Sequence, residues 1–273
     1  MKIVDHQLEG TGVKFEQTPN FYNPPFNTPT KLPDAIIIHY TAMTTAAGAV
    51  KVLTTKYPKD NASAHLVIGK NGEVFQLAKF NQRTWHAGDS SYNGRKGYNS
   101  LSIGIEIDNV GWLEKTNGKY SRYKLGKEYE EKDVVNKKHI NPKVRYEFWE
   151  KYTDAQLDKV FDICKLLREE YGIIEVLGHD EIAPDRKQDP GPAFPMDQLR
   201  NAVLSDRSGE SGEGRVNTDL LNIRAGAGVN FEKVAQPLTK GADVEILEER
   251  NGWYKVRTKI DGWVSKKYIT PTR

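Results

Sequence analysis

The stretch Ala35-Ile-Ile-Ile-His39-Tyr40 decides the fold, because it is a continuous aliphatic run that ends at a histidine. β-Branched side chains favour extended structure, and a run without polar alternation is typical of a strand buried on both faces. We therefore predict a buried strand over residues 35–40, with His39 near its C-terminal end.

Further predicted strands surround this one in the sequence. Residues 64–68 and 73–77 flank Gly69-Lys-Asn-Gly72, whose Asn-Gly pair is a hairpin turn signal. Residues 102–107 read Ser-Ile-Gly-Ile-Glu-Ile and form another predicted strand. Val176 and Leu177 end a further short strand.

Helical segments alternate with these strands. Residues 44–57 predict a helix that stops before Pro58. Residues 153–171 begin with a capping box, Thr153 with Gln156, and carry apolar residues at helical spacing. A short last helix is predicted after Pro195. This order predicts an α/β fold with a mixed central β-sheet flanked by helices.

The sharpest change in composition lies at residues 205–215, which hold glycine, serine and charged residues but no aliphatic side chain. We predict a flexible linker there, between a domain over residues 1–204 and a domain over residues 216–273. The alternative is a long surface loop within one domain. Short apolar runs between turn residues predict a small all-β barrel over residues 216–273. The highly charged residues 113–152, broken by glycine and proline, predict a surface insertion.

The composition excludes several classes of protein. The 273 residues include 40 basic and 37 acidic side chains, a balance too even to predict nucleic-acid binding. The longest aliphatic run is far shorter than the roughly 18 residues of a membrane span, and the opening residues lack the apolar core of a signal peptide. The single cysteine, Cys164, falls on the apolar face of a predicted helix and is expected in the core.

Residues 178–192 form a predicted loop with little apolar content, three prolines and many ionisable groups. Loops of this kind commonly carry function. Within it, His179 and Asp189 are ten residues apart, and with His39 they make two histidines and a carboxylate, a known set of catalytic zinc ligands. Spacing alone also permits other sets, and a histidine on an apolar strand is commonly a core residue.

Two further charged residues extend this hypothesis. Glu106 lies between isoleucines on a predicted strand, which indicates burial and a pKa raised toward that of a general base. The alternative for Glu106 is the solvated face of an edge strand. Lys187 lies two residues before Asp189, close enough to place an ammonium beside a metal. The alternative for Lys187 is a solvated surface lysine.

Five motifs in chain order carry a resemblance: Ile-Ile-His39-Tyr-Thr, Ser63-Ala-His65-Leu-Val-Ile, Thr84-Trp-His86-Ala-Gly, Ser102-Ile-Gly-Ile-Glu106 and the loop 178–192. Together they resemble the zinc-dependent N-acetylmuramoyl-L-alanine amidases, a family that includes AmpD and AmiD type enzymes and peptidoglycan recognition proteins. The similarity covers roughly residues 30–204. The segment from Trp85 to Arg95 looks most like the AmpD and AmiD branch.

The resemblance implies a role for each matching residue. His39, His179 and Asp189 match the ligands of one Zn²⁺ ion. Glu106 matches the catalytic carboxylate, and Lys187 matches the residue that stabilises the oxyanion.

The resemblance also implies a set of substrate contacts, namely His65, Trp85, His86, Arg95 and Asn99. His65 and His86 match histidines of the motifs that are not metal ligands. They line the cleft or have a structural role.

The tail carries a second resemblance. Leu221-Asn-Ile-Arg-Ala-Gly, Asn251-Gly-Trp253-Tyr-Lys-Val and Asp261-Gly-Trp263-Val-Ser look like a bacterial SH3 domain. Such domains often bind cell-wall peptides. Trp253, Tyr254, Trp263 and Tyr268 are the expected groove residues, with the barrel core as the alternative location.

The resemblance implies a peptidoglycan amidase that hydrolyses the amide bond between N-acetylmuramic acid and L-alanine, with peptidoglycan or muropeptides as its substrates. The alternatives are a non-catalytic peptidoglycan-binding or sensing protein and an intracellular amidase that recycles anhydro-muropeptides. We expect a monomer in the cell envelope or outside the cell, as an autolysin. The alternatives are that the enzyme acts in the cytoplasm or that it is an endolysin released by a phage.

Overall fold

The computed structural model describes residues 1–22, 32–59, 61–204, 212–226, 231–250 and 253–258. Contacts divide the chain into two compact units, Met1–Leu204 and Ser205–Arg273. None of the helices in these described ranges is long and apolar enough to cross a membrane.

The helices and strands are numbered in chain order. The strands of the first unit are β1 (Lys2–Val4), β2 (Gln7–Glu9), β3 (Val13–Phe15), β4 (Ala35–Tyr40), β5 (Leu66–Ile68), β6 (Val74–Gln76), β7 (Ser91–Tyr92), β8 (Arg95–Lys96), β9 (Ser102–Ile107), β10 (Trp112–Thr116), β11 (Lys119–Ser121), β12 (Glu128–Tyr129), β13 (Val134–Asn136), β14 (Phe148–Glu150) and β15 (Glu175–Gly178). The α-helices are α1 (Ala46–Thr54), α2 (Asp154–Tyr171), α3 (His179–Ile182) and α4 (Met196–Leu204). Short 3-10 turns cover Tyr98–Ser100 and Glu131–Asp133.

The main sheet has the strand order β15-β4-β9-β5-β6-β3. Strands β15, β4, β9 and β5 run parallel, and the hairpin of β5 and β6 adds an antiparallel pair. The predicted mixed central sheet is therefore confirmed, and the aliphatic run forms its strand β4, which lies between β15 and β9. The isoleucines of β4 are fully buried, which explains why the run shows no polar alternation.

Both faces of the parallel strands are covered. On one face, Ile36 and Ile105 pack with Ile163 of α2 and Leu199 of α4. On the other face, α1 packs against Val67 of β5. Cys164 is buried on the α2 side, as predicted, and burial raises the pKa of its thiol, which leaves it an unreactive core residue.

Residues 112–150 form an antiparallel sheet of their own, with the strand order β12-β11-β10-β14-β13, which we call the insertion sheet. The sequence predicted an insertion here but none of these strands. The strands are only two to five residues long, and buried, half-buried and exposed side chains follow one another in them without a regular alternation, so hydrophobic periodicity could not reveal them. Its small core contains Leu113, Tyr120 and Tyr129.

The described part of the second unit is all β, as predicted. Its strands are β16 (Gly212–Arg215), β17 (Leu220–Leu221), β18 (Leu238–Thr239), β19 (Asp243–Arg250) and β20 (Trp253–Arg257). Here the structure differs from the predicted linker over residues 205–215, because residues 212–215 pair with β19. Backbone hydrogen bonds hold this strand, and its Gly-Glu-Gly-Arg sequence carries no apolar pattern that could have indicated it. Residues 205–211 lie outside the described ranges.

The predicted capping box at the start of α2 is confirmed. The Thr153 hydroxyl accepts a hydrogen bond from the Gln156 amide and donates one to the Lys70 carbonyl, and the Gln156 side chain accepts from the Thr153 amide. We expect Thr153→Ala to lower the free energy of unfolding by about 1–2 kcal/mol, because an amide of the first turn loses its partner. Urea denaturation followed by circular dichroism measures this change. The exposed Thr116→Ala is the control, and equal stabilities of the two variants would contradict the capping role.

Candidate metal centre

The candidate site lies at the C-terminal edge of the parallel strands. In the register of the sheet, His39 on β4 is opposite Glu106 on β9, and Ile38 is opposite Gly178, the last residue of β15. His179 follows Gly178 as the first residue of α3. Parallel strands therefore bring three of the predicted site residues to one edge, which is where open α/β sheets bind ligands.

Three polar atoms converge at this edge. The Nδ1 atoms of His39 and His179 are 2.9 Å apart, and each is 2.9 Å from Oδ2 of Asp189. All three residues are buried. Within the part of the chain that the structure describes, no other group of three histidine, cysteine or acidic side chains has its donor atoms this close together.

The donor chemistry of this set fits a zinc ion. Two imidazole nitrogens and one carboxylate oxygen make a three-ligand set that leaves a fourth position open. The outer ring nitrogens are also engaged, because His39 Nε2 is 3.1 Å from His86 Nδ1 and His179 Nε2 is 3.2 Å from the Ala87 carbonyl. Protons on the Nε2 atoms serve these contacts and leave the Nδ1 lone pairs facing the centre, as in known metal sites.

His86 lies directly behind His39 and is itself held in place. Its Nε2 faces the Ser102 carbonyl at 3.4 Å, and its backbone amide donates to Oδ1 of Asn99 at 3.0 Å. Its ring packs on Gly104 of β9, where a Cβ atom would come within 2.5 Å of the imidazole. His86 is therefore buried, and its Nδ1 accepts the hydrogen bond that His39 Nε2 donates.

Burial and charge shift the pKa values of the donors. Burial, together with the charge of His179, lowers the pKa of His39 to about 4, against the opposing effect of Asp189. Burial acts to raise the pKa of Asp189, but the neighbouring imidazoles of His179 and His39 outweigh this effect and hold that pKa below its usual value. At neutral pH His39 therefore presents a lone pair and Asp189 a carboxylate to a cation.

Glu106 sits beside this set on the neighbouring strand. Its Oε2 atom is buried and has no hydrogen-bond partner among the described residues. Burial, followed by the charge of Asp189, raises the pKa of Glu106 well above its ordinary value, and Lys187 opposes this shift. A buried carboxylate without a partner is costly, so this group is poised to take a proton.

Lys187 lies on the loop between α3 and Asp189. Its backbone amide donates to the Ala183 carbonyl at 3.0 Å. Its charge lowers the pKa values of both His39 and Glu106, so the ammonium acts within electrostatic range of these two side chains.

Three of the predicted substrate contacts lie close to these residues. His65 is fully buried, with the Gly104 amide donating to its Nδ1 and its Nε2 2.7 Å from the Gln82 carbonyl. Asn99 binds the backbone beneath His86, as described above. Trp85 is half-buried and meets the ring of Tyr22 edge to face, with ring centroids 5.3 Å apart.

Arg95 lies elsewhere. Its guanidinium pairs with Asp34 at 2.5 Å and with Glu175 at 2.6 Å. Asp34 precedes β4 and Glu175 begins β15, so these ion pairs stand at the N-terminal edge of the sheet, opposite the metal donors. Motif proximity in the sequence suggested a substrate contact for Arg95, but the structure uses it to join the starts of two strands.

The aromatic residues predicted for the tail are only partly described. Trp253 is half-buried on β20, and the neighbouring Tyr254 is 56% exposed. Trp263 and Tyr268 lie outside the described residues.

Sequence reasoning missed two contacts of the site. The first is the hydrogen bond between His39 and His86. The Trp-His-Ala-Gly motif marks His86 in the sequence but does not indicate which residue it contacts. His139 and Trp149 of the insertion sheet contact the loop that carries Asp189, and the charged, aperiodic sequence around them gave no signal.

A mixed α/β sheet with two histidines, an aspartate and an unpartnered glutamate at its C-terminal edge is typical of metal-dependent hydrolases. Residues 28–192 match the family described as N-acetylmuramoyl-L-alanine amidase, and residues 219–270 match the family described as bacterial SH3 domain. The first match spans more than half of the chain. The chain belongs to the N-acetylmuramoyl-L-alanine amidase family.

Individual relatives agree with this assignment. The chain is 34% identical over 144 residues to 1,6-anhydro-N-acetylmuramyl-L-alanine amidase AmpD of Escherichia coli K12. This alignment covers 53% of this chain and 60% of the relative. It is 30% identical over 173 residues to N-acetylmuramoyl-L-alanine amidase AmiD of the same organism. This second alignment covers 60% of this chain and 51% of the relative. The chain thus spans little more than half the length of these relatives.

A solved structure shares the fold. The crystal structure of a selenomethionine AmpD derivative superposes with a TM-score of 0.51 at 25% sequence identity. The superposition covers 74% of this chain and 99% of that chain.

The buried His65 makes stability depend on pH. Burial lowers its pKa from 6.5 to about 4, against the opposing effect of the Gln82 carbonyl, so the unfolded chain takes up this proton before the folded one does. Stability from this group is full above about pH 6.5 and is lost as the pH falls toward 4. We expect His65→Asn to reduce the loss of unfolding free energy between pH 7 and pH 4 by about 3 kcal/mol. Urea denaturation of metal-free protein at several pH values measures it, and an unchanged pH dependence would contradict it.

Proposed function

We propose that this protein is a zinc-dependent peptidoglycan amidase that hydrolyses the amide bond between N-acetylmuramic acid and L-alanine of the stem peptide. The observation that carries the proposal is the convergence of three buried donor atoms within 2.9 Å of one another, beside an unpartnered buried carboxylate oxygen of Glu106. This arrangement supports catalysis over the alternative of a non-catalytic binding protein, because a binding surface has no need of a buried base.

The residues divide the chemical work among them. Zn²⁺ held by His39 Nδ1, His179 Nδ1 and Asp189 Oδ2 would supply Lewis-acid chemistry to the scissile carbonyl and to the attacking water. Glu106 takes the proton of that water as the new C–O bond forms, and its raised pKa makes it an effective base. It then passes the proton to the nitrogen of L-alanine as the C–N bond breaks.

Lys187 would stabilise the negative charge that develops on the carbonyl oxygen. Its ammonium already acts electrostatically on His39 and Glu106, so it lies within range of the proposed site of reaction. A fixed positive charge beside a developing oxyanion lowers the barrier, and it does so most strongly where water is sparse. The products are a glycan that ends in the lactyl carboxylate and a stem peptide with a free amine.

Two forms of substrate fit the relatives. AmpD of Escherichia coli is named a 1,6-anhydro-N-acetylmuramyl-L-alanine amidase, which favours anhydro-muropeptides as substrates. The match of residues 219–270 to a bacterial SH3 domain favours the intact wall, where an autolysin or a phage endolysin acts. We propose the wall as the main substrate, because a tethered binding module raises the local concentration of the enzyme on an insoluble polymer.

The tail would contribute this affinity through its aromatic side chains. Tyr254 is 56% exposed on β20, so its ring is accessible to a cell-wall peptide. The domain over residues 216–273, with a linker before it, would act as the wall-binding module.

We expect Glu106→Gln to lower the rate of hydrolysis by about 10²–10⁴-fold while zinc remains bound, because the amide cannot take the proton but leaves the metal donors in place. Mass spectrometry of products from intact sacculi and from soluble anhydro-muropeptides, digested side by side, measures the rate and identifies both bond and substrate. The exposed Glu114→Gln is the matched control and should retain the wild-type rate. Peptide release by Glu106→Gln at the wild-type rate would refute the assignment of the base.

We expect Tyr254→Ala in the full chain to weaken binding to insoluble cell walls by several-fold and to leave hydrolysis of soluble muropeptides unchanged, since the groove would serve the tether and not the chemistry. Co-sedimentation with purified walls measures the binding. Tyr123→Ala, which removes a 72% exposed tyrosine from the first unit, is the control. Equal sedimentation of both variants and the wild type would exclude Tyr254 from the groove.

A further inference from the structure

The insertion sheet contacts the segment that carries two of the three metal donors. We call residues 179–191 the metal loop, because they begin at His179 and include Asp189. Asn141, on the connection between β13 and β14, donates from Nδ2 to the Pro184 carbonyl of this loop at 2.7 Å. Nearby, Lys143 and Asp185 form an exposed ion pair at 2.7 Å. The insertion sheet therefore lies along the metal loop and not only on the surface.

His139 makes the deepest of these contacts. Its side chain is 1% exposed, and its Nδ1 accepts a hydrogen bond from the Asn141 amide at 3.0 Å. The proton is therefore on Nε2, which lies 3.0 Å from Oδ2 of Asp180 and 3.2 Å from the Gln188 carbonyl. One N–H group thus contacts the residue after His179 and the residue before Asp189.

Asp180 carries this contact to the metal donor itself. Its backbone amide donates to the Asp189 carbonyl at 2.7 Å, while its carboxylate accepts from His139. His139, Asp180 and Asp189 therefore form a continuous chain of hydrogen bonds from the insertion sheet to the backbone of the ligand.

Trp149 holds the other end of the same segment. Its indole lies against the backbone of Gly191, where a Cβ atom would come within 2.8 Å of the ring. Gly191 also has a left-handed φ of 71°, which favours glycine. The indole donates to the Lys137 carbonyl at 2.9 Å and its ring centroid is 5.6 Å from that of His139. The pair contacts the loop on both sides of Asp189.

We propose that His139 is a positioning residue that fixes Asp189 and His179 relative to His39, so that the insertion sheet sets the geometry of the metal centre. His39 is placed by strand β4 of the main sheet and is contacted by His86. The two loop-borne donors depend on contacts outside the sheet, and His139 supplies one N–H that reaches both of their neighbours. The inference rests on the proposed zinc site.

Two amide variants separate the two ring nitrogens of His139. His139→Asn keeps an acceptor near the Asn141 amide but has no group that reaches Asp180. His139→Gln is long enough to place an N–H near the position of Nε2. We expect zinc affinity, measured by competition with a chelating dye, to fall about 10- to 100-fold in His139→Asn and to stay within about threefold of wild type in His139→Gln. Lys143→Ala, which removes the exposed pair with the same loop, is the control and should bind zinc normally.

Hydrogen exchange of the metal-free protein supplies a second measurement that does not depend on zinc. We expect the Asp180 amide to exchange faster in His139→Asn than in wild type and Lys143→Ala, because its bond to the Asp189 carbonyl loosens. Wild-type zinc affinity and unchanged exchange in His139→Asn would overturn the positioning role. A wild-type protein that binds no zinc would overturn the proposed amidase mechanism, and the exchange of the Asp180 amide would still decide whether His139 holds the loop.

Discussion

The structure depends on one unfavourable arrangement, the burial of three polar atoms within 2.9 Å of one another on His39, His179 and Asp189. Removing such groups from water costs free energy unless each has a partner. The folded chain supplies partners on the outer side, at His86 and at the Ala87 carbonyl, and leaves the inner side to the shared centre. The rest of the site can be understood as support for this centre.

The support comes from two sources of different rigidity. Strands β4 and β9 place His39 and Glu106 opposite each other through the register of a buried parallel pair, which leaves little freedom. His179 begins the short helix α3, and Asp189 lies on the loop after it. The backbone carbonyls of this loop accept hydrogen bonds from side chains of the insertion sheet. A surface elaboration of the fold is thereby connected to the chemistry at the sheet edge.

The sequence predicted those parts whose signals are local. The aliphatic run before His39 forms a buried strand, the isoleucines that flank Glu106 are buried, and the capping box of α2 is formed. The strands of the insertion sheet and residues 212–215 were missed because strands of two to five residues are too short to show a hydrophobic period. Arg95 was placed with the substrate contacts because of its motif, but its partners at the N-terminal edge, Asp34 and Glu175, are distant in sequence.

Gly104 shows how a residue without a side chain can help to position a neighbouring side chain, here the imidazole of His86. The imidazole of His86 occupies the space where a Cβ atom of residue 104 would project, and His86 in turn accepts the hydrogen bond of His39. The glycine in the middle of β9 is thus required by the space that a histidine 18 positions earlier in the chain occupies. For protein engineers, position 104 belongs to the design constraints of the metal centre, although it contributes no functional group.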